Sequence, residues 1–567
     1  MSNDHQTAPA ALRELADELL DAQLDASPLI FSLVGLRERD DRLTDYTEAG
    51  GAATRARAGG ILDRVEALDP AALTAQDRVT WAVVRQQAAD ARDEVDLRAV
   101  EYTVTDAFGG AAADLLRLLP MVGIGEPAHA EGYLARLAAL PAALAAVAQR
   151  HRAGIAAGRL PVRRSAQAAV DQLERFLADP AGDPLRGPEP AAGGDVDLAG
   201  FRAARDRLLD EVVHPAFAGY RDALAADVVP HGRPDEQPGL CWLPDGEQHY
   251  ATLVRLHTTT DLTPQQLHET GLAVIAKLAD EYAEIGSRVF GTGQVDQVFG
   301  RLRDDPALRW SDGDELLAAA RAAVERAEQA APAWFGRLPS QRCRVAPVPD
   351  ADAPGAPPAY YLQPALDGTR PGTYFANTYR AAERYRYNAE ATAFHEAVPG
   401  HHFQRTIAQE LTDLPLLRRL ARVTAYTEGW GLYCERLADE MGLYSGDLAR
   451  LGMLCLDSMR AGRLVVDTGL HAHGWSRQRA VDYLRSHTPM STVEIESEVD
   501  RYIATPGQAL AYLVGRLEIE RLRADATRVL DGRFDLRGFH DLVLGSGPLP
   551  LRVLAQVVQA WVDDHRG

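Results

Sequence analysis

The sequence predicts a mostly α-helical protein with one small antiparallel β-sheet. Three observations carry that expectation. Apolar residues recur at three- and four-residue spacing over long stretches, which is the helical period. The same stretches are rich in Ala, Leu and Arg, which favour helix. Only the region around residues 359–377 reads as extended chain. At 567 residues the chain exceeds the ~50–250 residues of a usual single core. Two subdomains are therefore expected: a helical scaffold and cleft wall over 1–235, and a helical catalytic part over 236–567.

Taken in order, residues 74–100, 128–158 and 201–225 repeat apolar side chains at helical spacing. Pro- and Gly-rich stretches at 179–194 and 228–239 separate such segments. No fixed repeat period occurs, which excludes a solenoid. Cys241-Trp242-Leu243-Pro244-Asp245-Gly246 reads as the turn-rich start of the second region. Thr263 caps a helix that has Pro264 at its first position and runs to about Arg288. Residues 347–358, rich in Pro, Ala and Asp, read as a loop. Segments 359–363 and 372–377, joined by Asp367-Gly368-Thr369-Arg370-Pro371, read as an antiparallel hairpin. From Tyr379 onward the pattern is helical again.

Composition narrows the function. Hydrophobic residues make up 46% and charged residues 25% of the chain, the balance of a globular protein rather than a disordered one. No run of ~18 apolar residues occurs. Met1-Ser2-Asn3-Asp4-His5-Gln6 lacks the basic-then-apolar pattern of a secretion signal. A cytoplasmic protein with no membrane partner is expected. With 60 basic and 81 acidic residues the net charge is −21, which opposes binding to nucleic acid or an anionic membrane. Every basic side chain except Lys277 is arginine, which reads as codon bias. Cys241, Cys343, Cys434 and Cys455 show no C-x-x-C spacing and imply neither a disulfide framework nor a cysteine-rich zinc site. Gly123-Ile124-Gly125-Glu126-Pro127-Ala128 follows no strand and is not a dinucleotide fingerprint. Neither a G-x-S-x-G elbow nor a Walker A pattern occurs.

The chemistry concentrates in Phe394-His395-Glu396-Ala397-Val398-Pro399-Gly400-His401-His402-Phe403-Gln404. A His-Glu pair on a helix is half of a familiar zinc motif. In it the His binds the ion and the Glu acts as general base toward the attacking water. The usual second His, four residues on, is replaced here by Pro399. At ~100° per residue His401 would lie ~120° off the face of His395. His402 would regain the face but lie ~10.5 Å along the axis. No straight helix brings either pair onto one ion with ~2.0–2.1 Å bonds. The chain must break or bulge at Pro399-Gly400, for instance as a π-bulge. His401 is preferred to His402 as ligand, and the choice stays open. Glu428 in Tyr426-Thr427-Glu428-Gly429-Trp430-Gly431 is the candidate third ligand. Glu435, seven residues on, shares its helix face and would orient a ligand His. Gly429 and Gly431 would let another helix approach. A His₂Glu set points first to Zn²⁺.

These segments resemble the bacterial domain-of-unknown-function family numbered 885, regarded as related to zinc metallopeptidases. The resemblance rests on residues 246–250, 258–264, 395–404 and 428–430. It also rests on Val466-Asp467-Thr468-Gly469-Leu470-His471 and Tyr502-Ile503-Ala504-Thr505-Pro506-Gly507-Gln508-Ala509. It implies a multi-helix zincin-like architecture, similar in outline to carboxypeptidase Taq and thimet oligopeptidase, with the sheet beside the active-site helix. On that view Tyr502, Tyr512 or His471 would stabilise the oxyanion. Arg516 would bind a substrate carboxylate or pair with a structural acid. Pro506-Gly507-Gln508 would start the helix carrying Tyr512, and Gln508 is a further residue assigned to the site's surroundings. The 372–377 strand would lie at the cleft edge and pair with a peptide. The activity expected is zinc-dependent hydrolysis of amide bonds in short peptides. The alternatives are a peptide-like small molecule as substrate, or a non-catalytic helical binding protein. The intact Glu396 argues against the last.

Overall fold

The structure is a computed structural model describing residues 7–190, 195–349, 353 and 356–566. The 179–194 and 347–358 stretches therefore lie partly outside the described residues. The protein is 70% helical. Helix α1 (Pro127–Ala156) covers the segment read at 128–158 and carries Pro141 within it. By length and composition alone it could cross a membrane. Here Tyr133, Leu137, Leu140, Leu144 and Val147 face an apolar core shared with Phe201, Leu209 and Phe217. The same helix buries Arg136, Arg150 and His151, polar groups that a packed core satisfies and a lipid tail does not. The segment read at 201–225 is helical but interrupted by two π-turns, Leu209–Val213 and Leu224–Val228.

Helix α2 (Pro264–Phe290) begins as expected and runs two residues past the expected end. Thr263 and Gln266 close a reciprocal capping box, and Gly291 stops the helix in the left-handed region at φ 72°. Three strands follow: β1 (Arg344–Pro347), β2 (Ala359–Leu362) and β3 (Thr373–Ala376). The hairpin β2–β3 is antiparallel as read. The sheet as a whole is not: β1 pairs with β3 in parallel, giving a mixed sheet of order β1-β3-β2. Four residues of β1 are too few to show an alternation of their own, so the strand escaped the pattern. The 372–377 segment holds β3, the central strand. Both of its edges are already bonded, so it cannot accept an added peptide strand.

Beyond the sheet come α3 (Ala389–Glu396), α4 (His401–Glu410), α5 (Thr424–Glu440), α6 (Asp447–His471), α7 (Thr492–Ala504) and α8 (Ala511–Leu530). Two close crossings set their positions. A Cβ at Gly271 of α2 would come within 2.8–3.0 Å of Val465, Leu464 and Ala461 on α6. A Cβ at Gly429 of α5 would lie 2.4 Å from the Gly515 Cα on α8. Trp430, Tyr426, Phe394 and Phe335 fill one core beneath them. Three segments of the resemblance also meet at one point away from the His-Glu pair. The Asp467 carboxylate accepts from the Tyr250 hydroxyl at 2.6 Å and from the Gly507 amide at 3.0 Å. Those motifs hold the fold together.

Candidate metal centre

The chain breaks between its two site histidines. α3 ends at Glu396 and α4 starts at His401. Ala397 (φ −108°, ψ −100°) and Gly400 (φ −76°, ψ −123°) turn the backbone, and the Val398–Pro399 bond is cis. Of the two alternatives, a bulge and a break, the chain takes the break. Gly400 is dictated by the turn, since a Cβ there would sit 1.9 Å from the His395 carbonyl oxygen. Trp430 Nε1 donates to the Pro399 carbonyl at 3.0 Å and ties the turn to α5.

The break brings His395 and His401 edge to face, with ring centres 4.6 Å apart. Glu428 Oε2 lies 3.5 Å from the Nε2 atom of each. One ligand atom from each of the three falls within 4.8 Å of the others. Tetrahedral bonds of ~2.0–2.1 Å would place neighbouring donor atoms about 3.4 Å apart. The two 3.5 Å separations match that edge, and the donor set suits zinc. A divalent ion fits these residues.

α5 builds the rest of the centre on one face. His395 Nδ1 donates to Glu435 Oε1 at 2.8 Å, the carboxylate contact that orients a ligand imidazole. The ring thus lies across α5, with Nε2 toward Glu428 and Nδ1 toward Glu435. Gly431 sits beneath it: a Cβ there would meet the ring atoms at 2.6–2.9 Å. Only Gly429 serves helix approach, so the shared role read for the two glycines splits. Gly431→Ala is expected to displace His395 and weaken divalent-metal affinity about 10–100-fold, the usual cost of disturbing a ligand's support. A chelator-competition titration checks this, and unchanged affinity would refute the ring's position.

The electrostatics favour a cation. Burial alone would lower the His395 pKa, but Glu428, Glu435 and Glu396 outweigh it and hold it up to about 10. Burial raises the Glu428 carboxyl, yet His401 and His395 bring it well below the ordinary carboxylate range. Three acids around two imidazoles form a pocket that a divalent ion would neutralise. Glu396 is half-buried at the end of α3, in the field of both His395 and Tyr374.

Residues 28–558 match the family described as "Bacterial protein of unknown function (DUF885)". The chain belongs to the DUF885 family. Among curated proteins none matches it. Two solved structures described as a "putative lipoprotein" resemble this DUF885 chain. The one from Colwellia psychrerythraea is 27% identical, with a TM-score of 0.91 over 98% of this chain and 100% of its own. The one from Shewanella oneidensis, described as of unknown function, is 17% identical, with a TM-score of 0.73 over 97% and 99%. It shows the fold alone. Their description as lipoproteins fits poorly with the cytoplasmic expectation.

Within the DUF885 chain the remaining candidates separate. His402 is not beside the other donors: its Nε2 donates to the Gln341 carbonyl at 2.8 Å and its Nδ1 accepts from the Tyr361 hydroxyl at 3.0 Å. It fastens α4 to the sheet. Tyr512 stacks on His395, ring centres 6.4 Å apart and 18° from parallel. Tyr502 does not reach the centre. Its hydroxyl donates to Glu498 at 2.6 Å in a fully buried setting. His471 is also structural: its Nδ1 accepts from the Leu240 amide, its Nε2 donates to the Tyr502 carbonyl, and burial pushes its pKa down to about 3. Arg516 pairs with buried Asp457, the structural alternative read for it. Gln508 accepts from Arg501 at 3.4 Å at the foot of α8. Sequence reasoning missed Arg460 and Arg463. Their guanidinium carbons lie 4.9 and 4.6 Å from the Tyr512 ring centre. Two arginines one turn apart in the mostly buried helix α6 were the available signal.

Proposed function

We propose that this protein is a zinc-dependent hydrolase of amide bonds, acting on short peptides. One observation carries the reading: three convergent donors, His395 Nε2, His401 Nε2 and Glu428 Oε2, stand next to a carboxylate, Glu396, that none of them uses. A pure binding site for metal would not need that extra acid. A divalent ion held by the three residues would polarise the scissile carbonyl and acidify water. Glu396 accepts a proton from the attacking water at its carboxylate and passes it to the departing amine nitrogen. Glu435 keeps His395 in the Nδ1–H tautomer, leaving Nε2 as the donor atom. Tyr512, stacked on His395, would donate its hydroxyl to the carbonyl oxygen as it gains charge. Tyr361 of edge strand β2 bonds to His402 of α4, the residue after His401, which supports β2, not β3, as the strand that would line an extended substrate.

Mixed synthetic peptides incubated with the zinc-supplemented protein should yield new amine termini by mass spectrometry. A chelator should abolish them and added zinc restore them. Intact peptides throughout, with peptide-like small-molecule amides also uncut, would refute the proposal.

A further inference from the structure

Charge around Tyr512 does not balance. Arg460 on α6 is only 9% exposed. Among the described residues no carboxylate lies within ion-pairing distance of it, and its Nε atom finds no hydrogen-bond partner. Its one polar contact is a weak one, Nη1 to the Met459 sulfur at 3.4 Å. Arg463, one turn on, pairs with Glu498 at 2.8 Å and reaches the Tyr502 hydroxyl at 3.1 Å. Its Nη1 stays buried without a partner. Arg501 shares that same Glu498 at 3.2 Å. Two guanidinium groups thus share one carboxylate, and Arg460 beside them pairs with none. A buried charge left unpaired costs stability. Fixed donors without an acceptor are what an anion site looks like before its ligand arrives.

The position of these groups says which anion. The Arg460 guanidinium carbon is 4.9 Å from the Tyr512 ring centre. That ring stacks on His395 at 6.4 Å. Extended peptide spans ~3.3–3.6 Å per residue, so these two separations laid end to end correspond to at most about three residues between the metal donors and the guanidinium. Arg516, the arginine first considered for this role, is taken up by Asp457. Resting on the hydrolase reading above, we propose that Arg460, with the spare Nη1 of Arg463, binds a free carboxylate of the substrate, within about three residues of the bond that is cut. That carboxylate is either the peptide's C-terminus or an acidic side chain. The preferred substrates are therefore short peptides ending near the scissile bond, or peptides with Asp or Glu beside it.

Calorimetry on the zinc-supplemented Glu396→Gln protein tests this, because uncut ligands can then be compared. The probes are N-acetyl-trialanine as the free acid, the same peptide as its C-terminal amide, and N-acetyl-Ala-Glu-Ala amide. The free acid should bind about 10–100-fold tighter than its amide, the effect of a charge-assisted bidentate pair. Adding Arg460→Gln should erase the difference, and Arg460→Lys should retain part of it. The Glu peptide binding like the acid supports a side-chain carboxylate. The Glu peptide binding like the amide supports the C-terminus. The ligand-free Arg460→Gln protein should melt no lower than its parent, since the charge removed was unpaired, whereas a structural arginine would lower the melting temperature. Equal affinities for acid and amide with Arg460 intact, or no binding of either, overturn the subsite. Tight binding of an acid that the wild type never cuts overturns the hydrolase reading and leaves the subsite standing.

Discussion

Glu396→Gln is expected to lower kcat on a cleaved peptide by about 100- to 10,000-fold, the usual share of a general base. Metal content and KM should stay within about twofold. The expectation follows from position. Glu396 ends α3 directly after His395, but its carboxylate is not one of the three converging donors. The amide keeps the shape and removes the basic oxygen, so metal and substrate still bind while proton transfer fails. Steady-state kinetics with metal analysis of both proteins decide it. A variant that keeps wild-type kcat would assign the proton to another group, and one that loses its metal would make Glu396 a ligand.

The second large effect separates the two adjacent histidines. His401→Ala removes a donor whose Nε2 lies 3.5 Å from Glu428. It should weaken metal binding by more than the ~10–100-fold that a supporting residue costs. His402→Ala should leave metal affinity within a few-fold. It strips a partner from the Gln341 carbonyl and the Tyr361 hydroxyl. That should lower stability by about 1–3 kcal/mol, the range for an abandoned buried hydrogen-bonding group. Competition with a fluorescent zinc chelator measures the first effect and chemical denaturation the second. If His402→Ala loses the metal and His401→Ala does not, the assignment is reversed.

What could be read in the sequence was whatever is periodic or local. The helices over 128–158 and from Thr263 onward carry their own apolar rhythm, and the second its own cap at Thr263, and the structure keeps them. The i, i+7 spacing of Glu428 and Glu435 put both acids on one face, and His395 does lie between them. Distance in space could not be read. Helical geometry excluded an unbroken helix between His395 and His401, but a bulge and a break at Pro399 meet that demand equally. Only the backbone of Ala397 and Gly400 decides it. Tyr502, Tyr512 and His471 look alike as aromatic candidates, yet packing sends two of them into polar locks and one onto His395. β1 is four residues long, and its pairing with β3 is a contact between distant segments. Gly431 read as a site of helix approach because a glycine does not announce which neighbour needs the room. The arginines gave the least signal, since nearly every cation in this chain is arginine. The unpaired state of Arg460 is visible only once its neighbours are placed.

The central claim is that His395, His401 and Glu428 hold one divalent ion. Anomalous X-ray scattering at the zinc edge, from crystals grown with zinc, tests it most directly. One full-occupancy peak within ~2.0–2.2 Å of His395 Nε2, His401 Nε2 and a Glu428 oxygen is expected. A well-ordered fold with no peak there, or with the ion held by other residues, would contradict it.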